Sequence, residues 1–285
     1  MACPPPSTCF SPPIPAIPNG WNSSRAQSRD QPNFLLAKPR AGATRWPAGR
    51  RGAESRRPLP AAAPLVFIGG AARSGTTLLQ SILCADEDAN PLVREAQWIT
   101  HFARLYRWSK DNFAAIQNDY FASPEECRDF HAKLLTQFLA QASQRLGERP
   151  CLVLKNPEMT ALFGDLRELA TEAKFAVMMR DPRDIIASML EVREKFDRQK
   201  KTAPIPLERD MKSLSLRVRS YYAPFADTSL REDTLFVRYE DLTHNLQHEV
   251  QRLHNFTGLA LADFDPARDW SQAAAGGAYQ PGRWA

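Results

Sequence analysis

Three cationic side chains stand where short apolar runs give out: Arg73, Lys155 and Arg180. Arg73 lies between Gly70 and Gly75, and Ser74, Thr76, Thr77 and Leu78 complete the stretch. The apolar residues Leu78, Leu79, Ile82 and Leu83 that follow have helical spacing. A glycine-bounded loop opening onto a helix turns its backbone N–H groups and the positive end of the helix dipole onto one point, which is how a phosphate is cradled. Arg73 adds charge to that point, and the Ser and Thr hydroxyls add neutral donors. Arg180 begins Arg180-Asp-Pro-Arg-Asp and is followed eight residues later by Ser188, a second junction with the same logic. Lys155 precedes Asn156-Pro157 at the end of another apolar run, well placed for an anion. The one nearby carboxylate of interest, Glu95, has two readings. It is either an acid favoured at a helix start by the dipole, or a general base beside the cradle.

The elements that must carry these residues can be read from the pattern. Leu65-Val66-Phe67-Ile68 is long enough for a buried strand and too short for a helix. Further strands are predicted at Cys151–Leu154, Lys174–Met179 and Thr234–Arg238. Helices are predicted around Trp98, Phe102, Leu105 and Tyr106, and from Pro124, with Ser123 as cap, to a stop at Gly147. Others are expected at Thr160–Ala170, after Pro182, from Leu207 to Phe225, and from Thr243 to Thr257, with Gly258 closing the last. Residues 193–204 read as a polar loop. Strands alternating with helices predict an α/β class with a mainly parallel sheet, in which ligands bind beyond the carboxyl ends of the strands. The spacing Gly70-x4-Gly75 matches the nucleotide P-loop, but Thr76 stands where that loop has its lysine, which weakens an ATP or GTP reading.

Residues 1–63 are a different material. They are proline-rich at the start and arginine-rich at the end, with Asp30 and Glu54 the only acids and no periodic apolar pattern, and are expected to be disordered. Their composition resembles that of a transit peptide, but the prolines would break a targeting helix, and a translated upstream extension without function is the alternative reading. Over all 285 residues the formal net charge is +5, which suits an anionic ligand, yet much of it falls in this segment. No run approaches the roughly 20 apolar residues of a membrane span. Five cysteines at irregular spacing argue against zinc and against a disulfide framework, and favour a reduced, cytoplasmic setting. Cys84 and Cys151 lie in apolar patterns and read as core residues.

The two arginine motifs, in this order, resemble the PAPS-dependent sulfotransferases. Gly70-Ala-Ala-Arg73-Ser-Gly-Thr-Thr-Leu78 is similar to their 5′-phosphosulfate loop, and Arg180-Asp-Pro-Arg-Asp-Ile-Ile-Ala-Ser188 to their 3′-phosphate motif. Leu154-Lys155-Asn156-Pro157 and Val237-Arg238-Tyr239-Glu240-Asp241-Leu242 also resemble this family, nearest its tyrosylprotein-sulfotransferase-like branch and bacterial relatives. The resemblance spans about Leu65 to Trp284 and implies a three-layer P-loop-like fold over residues 64–285. It implies PAPS as sulfonate donor, a hydroxyl or amine acceptor attacking in line, and no metal. Arg73 and Lys155 would neutralise the 5′-phosphosulfate as its bridging bond breaks, with Ser74, Gly75, Thr76, Thr77 and Leu78 holding that phosphate. Arg180 and Ser188 would hold the 3′-phosphate, Tyr239 would touch the same cofactor, and Glu95 would take the acceptor proton. Arg283 resembles the basic residue that closes over the cofactor, but the family's usual final segment is expected to be missing after it. The family's tyrosylprotein branch also carries a catalytic serine that has no match here. The acceptor class (small molecule, peptide or sugar) is left open, as is a homodimer, and neither nucleic acid nor membrane is expected as a partner. The competing readings are a P-loop kinase and a PAP-binding remnant acting as an interaction module.

Overall fold

The computed structural model describes residues 64–199, 210–261 and 264. Residues 1–63, Arg283 and the second half of the expected polar loop lie outside them. The first strand, β1 (Leu65–Gly70), is buried along its whole length, as its unbroken apolar run requires of a strand covered on both faces. It leads through the loop Ala71–Gly75 into α1 (Thr76–Leu83). Two helices follow, α2 (Gln97–Asp111) and α3 (Pro124–Arg145). Pro124 occupies the first turn of α3, and the Ser123 hydroxyl accepts the Glu126 N–H at 3.2 Å.

Strand β2 (Leu152–Lys155) begins one residue later than its pattern suggests, with Cys151 making a single bridge to Ala89. Asn156 then caps a 3-10 turn over Pro157–Leu162, so α4 is confined to Phe163–Leu169 rather than starting at Thr160. Strand β3 (Lys174–Met179) matches its predicted bounds. Helix α5 (Pro182–Arg198) runs six residues into the stretch expected as a polar loop. Its composition explains the extension. Arg193 pairs with Asp197 at 3.5 Å across one turn, and Lys195 and Arg198 place positive charge at the negative end of the dipole. After α6 (Met211–Tyr222) come the short α7 (Thr228–Glu232) and strand β4 (Thr234–Arg238). The last predicted helix is two: α8 (Tyr239–His244) and α9 (Leu246–Thr257), interrupted at Asn245 and closed by Gly258 in a left-handed conformation.

All four strands are parallel, in the order β2-β1-β3-β4. Alternate side chains of the sheet feed two cores. On one face Phe67, Leu154, Phe175 and Val177 pack against α2, α3 and α4. On the other, Val66, Ile68, Val153 and Met178 pack against α1 and α9. Fully burying one such side chain stabilises the fold by about 1.5–3 kcal/mol. A third cluster joins the loop residues Ala71 and Ala72 to α5 and α6. The chain is a three-layer, P-loop-like α/β fold. From β1 the chain goes to β2 on one side and then crosses back over β1 to β3 on the other, and that reversal opens a crevice at the carboxyl ends of β1 and β3.

Candidate active site

The loop after β1 turns within very little space. Gly70 has φ +130°, and a Cβ there would lie 2.5 Å from the Met178 carbonyl oxygen. Gly75, at φ +103°, caps α1, and a Cβ on it would lie 2.7 Å from Tyr239 Cδ2. Both positions require glycine for conformation and for clearance. Between them Arg73 adopts φ 74°, unusual for a residue with a side chain. The Leu79 N–H is the first to bond within the α1 turn, to the Gly75 carbonyl at 3.2 Å, so the amides preceding it, from Gly75 to Leu78, have no partner inside the helix.

Arg73 reaches across to the second junction, its Nε donating to Ser188 Oγ at 3.0 Å. The Arg180 Nη1 donates to the Arg73 carbonyl at 3.4 Å, and its guanidinium lies 4.4 Å from the Tyr239 ring centroid. Tyr239 opens α8 at the end of β4 and packs on Gly75, so it serves both junctions. Burial, and then the neighbouring Arg180 charge, lower the Arg73 pKa, while Glu191 opposes them. Lys155 ends β2 with 7% of its side chain exposed, its Nζ donating to Thr77 Oγ1 at 3.2 Å and to Glu95 Oε1 at 3.3 Å. Burial lowers its pKa as well, and the Glu95 carboxylate acts the other way.

Glu95 is not in the first turn of α2, as a helix-start acid would be. It precedes the cap residue Ala96, whose N–H donates to the Lys155 carbonyl at 2.8 Å. That bond fixes Glu95 beside the lysine, and its side chain remains 44% exposed towards solvent. The crevice thus brings together Arg73, Thr77, Glu95, Lys155, Arg180, Ser188 and Tyr239. Ser74 differs: it is fully buried, with its hydroxyl turned under the loop towards Gly70, so the backbone rather than the side chain faces a ligand there. Thr76 is also buried. Beyond β3 and β4 a cleft of about 380 Å³ is lined by Arg180, Pro182, Asp184, Arg238 and Glu240.

Sequence reasoning did not single out Thr160, Tyr222, Asp181 or Glu240. Asp181 caps α5 by accepting the Arg183 N–H at 2.9 Å, and its side chain also bonds the Arg183 guanidinium, which holds its carboxyl down at about 2. Glu240 Oε1 accepts the Asp181 N–H at 2.8 Å, tying β4 to the second junction. An Asp before Pro at a helix start signals the cap. Nothing local signals the others, whose bonds from the Gly70, Ala71 and Asp181 amides span 59 to 151 residues. Cys84, Cys127 and Cys151 are free thiols, and burial pushes Cys84 up to about 12 and Cys151 to about 11, as core cysteines require.

A model of the sulfotransferase family matches residues 64–263, and the chain belongs to that family. Protein-tyrosine sulfotransferase 1 of Mus musculus is 34% identical over 132 residues, covering 45% of this chain and 34% of the mouse protein. A putative protein-tyrosine sulfotransferase of Caenorhabditis briggsae is 26% identical over 200 residues, 68% of this chain and 65% of that one. The matched region thus spans about a third of the mouse relative's length. The crystal structure of sulfotransferase STF9 from Mycobacterium avium aligns at a TM-score of 0.48 and 13% identity, covering 77% of this chain and 69% of that chain. Among the described residues, no helix is long and apolar enough to cross a membrane.

Proposed function

We propose that this chain transfers a sulfonate group from 3′-phosphoadenosine 5′-phosphosulfate to a hydroxyl or amine acceptor. The observation that carries this reading is the pairing of two anion sites in one crevice. Arg73 and Arg180, from different strand ends, share the Ser188 and Tyr239 neighbourhood, and Lys155 stands over Thr77 on the cradle helix. A donor with phosphates at both ends of one nucleoside uses two such sites; a triphosphate uses one. The 5′-phosphosulfate falls to Arg73, Lys155, Thr77 and the amides from Gly75 to Leu78. The 3′-phosphate falls to Arg180 and Ser188, with Tyr239 against the same molecule. Arg283 is the candidate residue to close over it.

The chemistry follows from charge. As the sulfur–oxygen bridge breaks, negative charge grows on the leaving phosphate, and cations already in place stabilise it with no reorganisation. Glu95, held 3.3 Å from Lys155 and open to solvent, takes the acceptor's proton. Lys155 holds the Glu95 carboxylate in place and faces the leaving group. The donor is bound without metal in this reading, and the acceptor arrives from the open side of Glu95. The free core thiols fit a reducing, cytoplasmic setting.

Calorimetry with PAP, the desulfonated donor, beside ATP with Mg²⁺ tests the reading. Tight PAP binding without ATP binding, together with transfer of labelled sulfonate to an acceptor, is expected. Mg²⁺-dependent ATP binding with no PAP binding would overturn it. PAP binding with no turnover across a broad acceptor panel would leave a binding module in its place.

A further inference from the structure

The cradle loop is gripped from outside at its first two amides. The Gly70 N–H donates to the Thr160 hydroxyl at 2.7 Å, and that hydroxyl donates in turn to the Pro157 carbonyl at 2.5 Å. The next amide, Ala71 N–H, donates to the Tyr222 hydroxyl at 3.2 Å, which donates to the Met178 carbonyl at 3.1 Å. Gly70 and Met178 form the last pair of the β1–β3 ladder. The Tyr222 oxygen therefore stands between the two strands just where their ladder ends and the crevice opens. Thr160 is fully buried, and burial raises the Tyr222 pKa, so both groups stay neutral hydroxyls that accept and donate at once.

Each hydroxyl joins the cradle to a different part of the site. Thr160 sits in the turn that follows Lys155, and Met178 lies two residues before Arg180. Neither hydroxyl is placed to meet a ligand, because both are spent on backbone groups. We infer that Tyr222 and Thr160 are positioning residues: they set the spacing between the cradle, the Lys155 turn and the Arg180 strand by holding successive loop amides. This inference rests on the donor reading for its consequence, though not for its geometry. Gly69 reinforces the Thr160 contact, since a Cβ there would lie 2.6 Å from the same oxygen.

The test compares Tyr222→Phe, Thr160→Val and the conservative Thr160→Ser with the wild-type full chain. Removing either hydroxyl leaves two backbone groups without their partner and depopulates the competent loop, so PAP Kd is expected to rise about tenfold. Thr160→Ser restores the oxygen and is expected to bind within about twofold of wild type. Leu135→Ala, in the core behind α3, lowers stability without touching the loop, and is expected to leave PAP affinity unchanged. Amide exchange gives a second readout that needs no ligand: Ala71 is expected to exchange about tenfold faster in Tyr222→Phe, and Gly70 in Thr160→Val. Wild-type affinity in both hydroxyl-deleted variants would overturn the inference. If wild type itself binds no PAP, the donor reading fails, and unchanged exchange at Ala71 and Gly70 would then sink the tethers separately.

Discussion

Replacing Gly75 with alanine probes the point where both junctions meet. The residue holds φ +103°, where a side chain costs about 1–2 kcal/mol. The new Cβ would lie 2.7 Å from Tyr239 Cδ2 and 3.1 Å from Cε2, so the ring must move. The ring also supports the Arg180 guanidinium at 4.4 Å, a contact worth about 0.5–1 kcal/mol at a partly exposed site. Together these give a loss of roughly 1.5–3 kcal/mol, or about 3–12 °C in Tm for a domain of this size. The assay is urea denaturation followed by circular dichroism, run on Gly75→Ala, Tyr239→Ala and the double variant. If the ring is the obstacle, Gly75→Ala should cost only its backbone share, about 1–2 kcal/mol, once Tyr239 is alanine. Equal costs in both backgrounds would refute the contact, and a neutral Gly75→Ala would refute the whole account of the loop.

Four further outcomes are expected. Glu95→Gln should keep PAP affinity within a few-fold and lower turnover by about 10²–10⁴-fold, the usual contribution of a positioned base, measured by labelled-sulfonate transfer. The same variant removes the group that opposes burial at Lys155, so the lysine pKa should fall further. Because the unfolded chain then binds the extra proton, stability rises with pH between the folded and unfolded Lys155 values, and that window should widen downward in Glu95→Gln, as read by NMR titration and melting at alkaline pH. Arg73→Ala should reduce kcat by about 10²–10³-fold, with Ser188→Ala milder because it removes a neutral partner. Ser123→Ala, far from the crevice, should cost about 0.5–2 kcal/mol by uncapping α3 and leave PAP binding unchanged.

The sheet was legible because its strands are short, apolar and bounded by turn residues. Lys174–Met179 and Thr234–Arg238 have the bounds their patterns predict, and the cradle's glycines mark its turns. Helix ends were less legible where sequence carries competing signals. The stretch after Val192 looks like loop by polarity, yet its Arg–Asp pair and terminal cations favour helix, and the helix continues to Arg198. Asn245 breaks what reads as one helix, because a polar residue in a helical pattern gives no sign of its dihedrals. Candidate site residues carried by their own motif, such as Arg73 and Ser188, could be proposed from the chain alone. Their mutual bond could not, and neither could Tyr222 nor Thr160, which meet loop amides 90 or more residues away.

Several departures from the most stable arrangement fall in this one crevice, and their coincidence needs an explanation. Arg73 holds a left-handed backbone conformation unfavourable for a side chain. Its charge is partly desolvated and repelled by Arg180, and Lys155 is buried with its positive charge disfavoured. A fold selected for stability alone would separate these cations or replace them with apolar residues. Their neighbours moderate the cost and include the Ser188 hydroxyl and Glu191 charge near Arg73, the Tyr239 face and Asp184 beside Arg180, and a solvent-exposed carboxylate beside Lys155. A ligand bearing two separated anionic groups would offset the electrostatic costs together, relieving the Arg73–Arg180 repulsion and meeting Lys155 with opposite charge. On the proposed function, the strain is preorganisation for such a ligand, and the inferred tethers at Gly70 and Ala71 would keep the loop from relaxing before it arrives.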